Sequence, residues 1–185
     1  MEVFLVRHTA VAVPASTCYG QSEVPLRESF PEELAVIRNK IPAGIAAVYS
    51  SPLQRCVTLA ESLAPDIVLD ERLKEMHFGE WEMQSWNEID RTVLSTWMKD
   101  FVRIPAPGGE NLQRVYDRVG AFMEELRIRE HDKVLVIAHG GVLRCIWAYL
   151  LKIPLQHVFK IPVQYGEVLH FHLGKNMYRD YIISK

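Results

Sequence analysis

Two stretches of the chain, Val3-Phe4-Leu5-Val6 and Val134-Leu135-Val136-Ile137, are unbroken runs of β-forming apolar residues. A strand with one wet face alternates apolar and polar side chains. A run without alternation needs cover on both faces, which a parallel sheet between two helical layers supplies. Ala46 to Tyr49 is a third candidate strand. Leu112, Val115, Tyr116, Val119, Phe122, Met123 and Leu126 form one apolar stripe at helical spacing, suited to lie on such a sheet. Ser51, Pro52 and Gln54 resemble an N-cap, a first-turn proline and a capping-box partner, so a helix is expected directly after the third strand. Residues 31–40, 86–100 and 142–151 read as further helices. Residues 167–173 and 177–183 read as a closing strand pair around Gly174-Lys175-Asn176. Strands alternating with helices predict a layered α/β fold. No linker or repeat interrupts the 185 residues, so one domain over residues 1–185 is expected.

Composition narrows the partners. A formal net charge of −2 offers no basic field for nucleic acid or anionic lipid, so a small-molecule ligand is expected. No apolar run approaches the ~20 residues needed to span a bilayer, and Met1-Glu2 does not begin a secretory signal. Cys18, Cys56 and Cys145 are odd in number and lack a C-x-x-C spacing, which fits a reducing, cytoplasmic setting. Oligomeric state is not legible at this level.

The chemistry lies where the strands end. Arg7-His8 follows the first strand, His139-Gly140-Gly141 another, and Arg55 stands about one turn into the helix after Ser50-Ser51-Pro52. Ligands of open α/β sheets bind beyond the carboxyl ends of the strands, so two histidines and two guanidinium groups are expected on one rim. Paired arginine forks match a phosphate dianion. A neutral imidazole can attack phosphorus through one nitrogen if the other holds its proton against an acceptor. The second histidine and the adjacent glycine backbone can stabilise the equatorial phosphoryl oxygens. An alkoxide leaving group needs a proton, for which Glu75, Glu80 and Glu82 are candidates of equal standing.

The Arg7-His8-Thr9 triplet, the Ser50-Ser51-Pro52-Leu53-Gln54-Arg55 segment and His139-Gly140-Gly141 occur in the order of the histidine phosphatase superfamily, whose phosphoglycerate-mutase-like proteins this sequence resembles. The resemblance implies a three-layer α/β/α sandwich with a mostly parallel central sheet and a phosphomonoesterase that uses no metal or cofactor. It further implies that His8 is the nucleophile, that Arg7, Arg55 and His139 hold phosphate, and that Glu75 donates the proton. Cys18 to Leu26 and Phe78 to Met83 look most like the α-ribazole-5′-phosphate phosphatase branch of cobalamin nucleotide-loop assembly, and Tyr19, Gly20, Glu82 and Gly140 join the expected substrate-binding set. Pro107-Gly108-Gly109-Glu110-Asn111 resembles the family loop before its long amphipathic helix. Thr9 and Pro14 depart from the usual glycine and asparagine.

Other features carry less. His170 and His172 share a strand face but have no Cys or Asp partner placed nearby, so no metal site is expected. Tyr19, Trp81 and Trp86 could stack on an aromatic leaving group or pack the core. A phosphoglycerate mutase and a non-catalytic phospho-ligand module are the competing readings.

Overall fold

The computed structural model describes all residues, Met1–Lys185. The expected strands form as β1 (Glu2–Arg7), β2 (Ala47–Ser50) and β4 (Lys133–Ala138), with a two-residue β3 (Val68–Leu69) that sequence reading missed. The sheet order is β3-β2-β4-β1-β5-β6. The first four strands run parallel, β5 (Val168–His172) pairs antiparallel with β1, and β6 (Tyr181–Ser184) pairs antiparallel with β5. The sheet is therefore mixed, with a parallel centre.

Alternate residues of the apolar runs enter different cores. Val3, Leu5, Val134 and Val136 face α3 (Arg91–Lys99), α4 (Leu112–Arg127) and α5 (Gly140–Leu151) in a core of 32 buried residues. Phe4, Val6, Leu135 and Ile137 face α1 (Phe30–Lys40) and α2 (Gln54–Leu63) in a smaller core of 10. This is the three-layer α/β/α sandwich, and it explains why the runs carry no polar alternation. None of the helices is long and apolar enough to cross a membrane.

The starts of three elements differ from expectation. The capping box at Ser51 and Gln54 does not form: α2 begins at Gln54, whose N–H donates to the Glu23 carboxylate at 3.1 Å, while Ser51 Oγ turns to His139. Helix α3 starts at Arg91 rather than residue 86 because Asp90 caps it, accepting from the N–H groups of Thr92 and Val93. The closing pair is antiparallel, but its connection runs from residue 173 to 180 and contains a 3-10 turn at Met177–Arg179.

The topology places one crevice. Strands β1 and β4 are neighbours, yet the chain leaves β1 for α1 in the smaller core and leaves β4 for α5 in the larger one. Such a switch point opens a gap at the carboxyl ends of the strands. Arg7 lies opposite Ala138 and Ser50 opposite Ile137, so His8, Ser51 and His139 emerge side by side.

Candidate active site

His8 is 1% exposed and donates from Nδ1 to the Thr9 carbonyl at 2.8 Å. A carbonyl only accepts, so Nδ1 carries the proton and Nε2 the lone pair. Burial, reinforced by the positive charges of Arg55 and Arg7, holds the His8 pKa well below its ordinary value. The imidazole is therefore neutral and one nitrogen is free. Thr9 adopts no positive φ, so its β-branch is unstrained where the family resemblance expects glycine. Pro14 is exposed and is not itself among the cleft-lining residues, although its neighbour Ala15 is.

Arg55 is 1% exposed and held rigidly. Its Nη1 donates to Ser22 O at 2.9 Å, Nη2 to Gly20 O at 2.6 Å, and Nε to His139 Nδ1 at 3.3 Å. Three of five donors are used, which leaves two for an anion. Arg7 donates through Nη1 to Val163 O, and its buried Nε has no partner. An unpaired guanidinium donor in a buried position is costly unless a ligand engages it.

His139, expected to hold phosphate, lies beside His8, with ring centroids 5.1 Å apart. Nδ1 accepts from Arg55, and Nε2 meets Ser51 Oγ at 2.7 Å. Both nitrogens are engaged inside the protein, and burial lowers its pKa, with Arg55 adding to the effect. As it stands, the ring braces Arg55. The Gly140 N–H, in the first turn of α5 and without an intrahelical acceptor, is the donor left at this corner.

The three candidate acids separate. Glu75 lines the cleft, where its Oε2 accepts from Gly141 N at 3.0 Å and its Oε1 from Met76 N at 2.9 Å. Glu80 is exposed on a 3-10 turn. Glu82, expected at the substrate, has its carboxylate engaged by the protein. It accepts from the N–H groups of Gln21 and Phe78 and from the Ser22 hydroxyl, pinning the 20–22 turn. Gly20 is required there: its φ is +38°, a Cβ would overlap Glu82, and its carbonyl serves Arg55.

The cleft holds about 310 Å³ and is lined by Arg7, Gly20, Glu75, Gly140, Gly141 and Arg144 and by an aromatic wall of Tyr19, Phe78, Trp86, Phe159 and Tyr165, while His8, Arg55 and His139 are buried and are not among its lining residues. Trp81 is not part of it, being buried in the core against Trp97. Tyr19 and Tyr165 meet hydroxyl to hydroxyl at 2.9 Å across the mouth. The Tyr165 ring lies 3.8 Å from the Arg7 guanidinium carbon, and the Tyr19 ring 5.1 Å from that of Arg55. Burial and this hydroxyl contact raise the Tyr19 pKa. Tyr165 and Arg144 escaped sequence reading: the first sits in an irregular loop before β5, and the second, four residues after Gly140, is marked only by helical spacing. A larger depression of about 700 Å³ between residues 127–131 and 172–179 lies at the opposite ends of the strands and contains none of these groups.

A family model described as histidine phosphatase superfamily (branch 1) matches residues 3–179. A Hydrogenobacter thermophilus protein named "Putative phosphoserine phosphatase 2" is 29% identical over 151 residues, 78% of this chain and 74% of its own. The Bacillus stearothermophilus YhfR structure superposes with a TM-score of 0.82 at 26% identity, covering 92% of this chain and 90% of its own. The α-ribazole phosphatase of Shigella flexneri gives a TM-score of 0.85 at 24% identity over 93% and 90% of the two chains, a likeness of fold. The family match thus runs from the first buried strand past β5, through every strand end that forms the crevice, and the chain belongs to the histidine phosphatase superfamily.

Proposed function

We propose that the protein is a phosphomonoesterase working through a phosphohistidine on His8. The observation that carries this reading is the fixed tautomer: Nδ1–H is held by Thr9 O, leaving the Nε2 lone pair of a neutral ring between two guanidinium groups. Arg7, Arg55 and the Gly140 N–H hold the phosphoryl oxygens as His8 Nε2 forms the N–P bond and the ester P–O bond breaks. Glu75 gives its proton to the departing alkoxide oxygen. Water then attacks phosphorus, surrendering a proton to Glu75, and the N–P bond breaks to release inorganic phosphate and neutral His8. Brief reaction with a ³²P-labelled ester and alkaline quench is expected to leave acid-labile, alkali-stable label on the native protein and none on a folded His8→Ala variant. Equal label on both rejects the proposal.

The aromatic wall supports α-ribazole-5′-phosphate as substrate, because its benzimidazole can lie against Tyr19, Tyr165 or Trp86. A second reading rests on Arg144, which reaches the cleft without an ion-pair partner and could receive a carboxylate, as in phosphoserine. Steady-state kcat/KM for α-ribazole-5′-phosphate, phosphoserine and 3-phosphoglycerate separates these readings. Release of inorganic phosphate, rather than interconversion of 2- and 3-phosphoglycerate, separates a phosphatase from a mutase.

A further inference from the structure

Glu75 stands on a segment that has no regular structure of its own. Residues 74–78 belong to no helix or strand, so their carbonyls find no ladder partners. One side chain answers for two of them and for the Arg72 carbonyl of the preceding 3-10 turn, and Gln21 Nε2 also donates to Glu75 O at 2.9 Å. Arg118, on α4, donates through Nη1 to Arg72 O and Lys74 O, both at 2.6 Å, and through Nη2 to Glu75 O at 3.0 Å. Its Nε and Nη2 also donate to the two oxygens of Glu110, each at 3.0 Å. All five N–H groups of the fork are spent.

Glu110 continues the fastening. Its Oε2 accepts from His77 N at 2.9 Å, and its own N–H donates to His77 O at 2.8 Å. The Pro107-Gly108-Gly109 turn before it lies backbone to backbone on residues 77–80. A Cβ on Gly109 would overlap His77 O, and one on Gly79 would overlap Pro107 O. Glycine is the residue that permits such an approach.

We propose that Arg118, with Glu110, is a positioning residue for Glu75: it sets the backbone from which the proton donor reaches the leaving-group oxygen. Arg118 touches no reacting atom and does not line the cleft. Its action passes through three carbonyls, and Arg118→Lys keeps the charge while losing the fork that spans them. The proposal rests on the assignment of Glu75 as general acid.

The test follows the phosphorylation half-reaction by rapid quench with phosphoserine, an alkyl ester, and with p-nitrophenyl phosphate, whose leaving group needs little proton assistance. Glu75→Gln reports on the acid assignment itself and is expected to slow only the alkyl reaction strongly. Arg118→Lys is expected to copy that selectivity, with a loss of about 10²-fold on phosphoserine, the scale of a misplacement near 1 Å, and little on p-nitrophenyl phosphate. The Arg118→Lys/Glu75→Gln double variant is expected to be no slower than Glu75→Gln. Should Arg118→Lys fail to fold, Glu110→Gln, which removes the charge that anchors the fork, is expected to show the same selectivity more weakly. Equal losses on both esters in the Arg118 or Glu110 variant, beside a selective Glu75→Gln, overturn positioning alone. An unselective Glu75→Gln overturns the acid assignment and the positioning role together.

Discussion

Two neutral imidazoles packed together govern how the molecule meets acid. An unfolded histidine titrates near pH 6.5, whereas burial and Arg55 hold His8 and His139 well below that value in the folded state. Below pH 6.5 the unfolded chain therefore binds protons that the native protein refuses. Stability falls as pH drops from 6.5 and is flat with respect to these groups above it. The slope is on the order of 1 kcal/mol per pH unit for each histidine. Denaturant unfolding between pH 5 and 6.5 checks this, and His139→Gln is expected to reduce the slope by about half of the pair's contribution. A slope unchanged by that substitution contradicts the assignment. At this scale the meeting of Arg7, His8, Arg55 and His139 was legible because each stands at or soon after the end of a buried strand, and a strand end is a fixed address on the rim. The Ser51 contact with His139, the Glu82 clasp on residues 21–22 and Tyr165 over Arg7 were not, since each joins residues more than 50 apart through tertiary placement.

Helix α5 joins the strand ends to Glu75, the proposed general acid. Its second residue, Gly141, gives its N–H to Glu75 and leaves the space that a Cβ would take from Glu75 Oε1. Gly141→Ala sets two effects against each other. Alanine is favoured over glycine within a helix by up to about 1 kcal/mol, while the carboxylate end must swing aside. The melting temperature is expected to hold or rise and kcat on alkyl esters to fall about tenfold or more, as for partial loss of a general acid. A variant that melts earlier and keeps full kcat contradicts this placement of Glu75. The helices and central strands were legible from apolar period. Their starts were less so: Gln54 is capped by Glu23 from 31 residues upstream, and Asp90 delays α3 by competing for its first N–H groups.

The molecule as a whole is closed at its C-terminal hairpin by the ion pair of Arg127 and Asp180, 2.7 Å apart with side chains 4% and 1% exposed. Arg127 also donates to Gly174 O and to the Tyr149 hydroxyl, so one guanidinium unites α4, α5 and the β5–β6 connection. Removing one partner strands a buried charge, and Arg127→Ala or Asp180→Ala is expected to cost about 3–5 kcal/mol of stability. Activity measured well below the lowered melting temperature is expected to persist, because the pair lies at the strand ends opposite the cleft; loss of activity in a folded variant contradicts that separation. The two sides of the sheet are unequal in what they hide from water, and Arg55 belongs to the thinner side while Glu75 leans on the thicker. A phosphate ester gripped by Arg55 and the first turn of α5 would act as a rivet through the sheet, fastening the weaker layer to the stronger for as long as the site is filled.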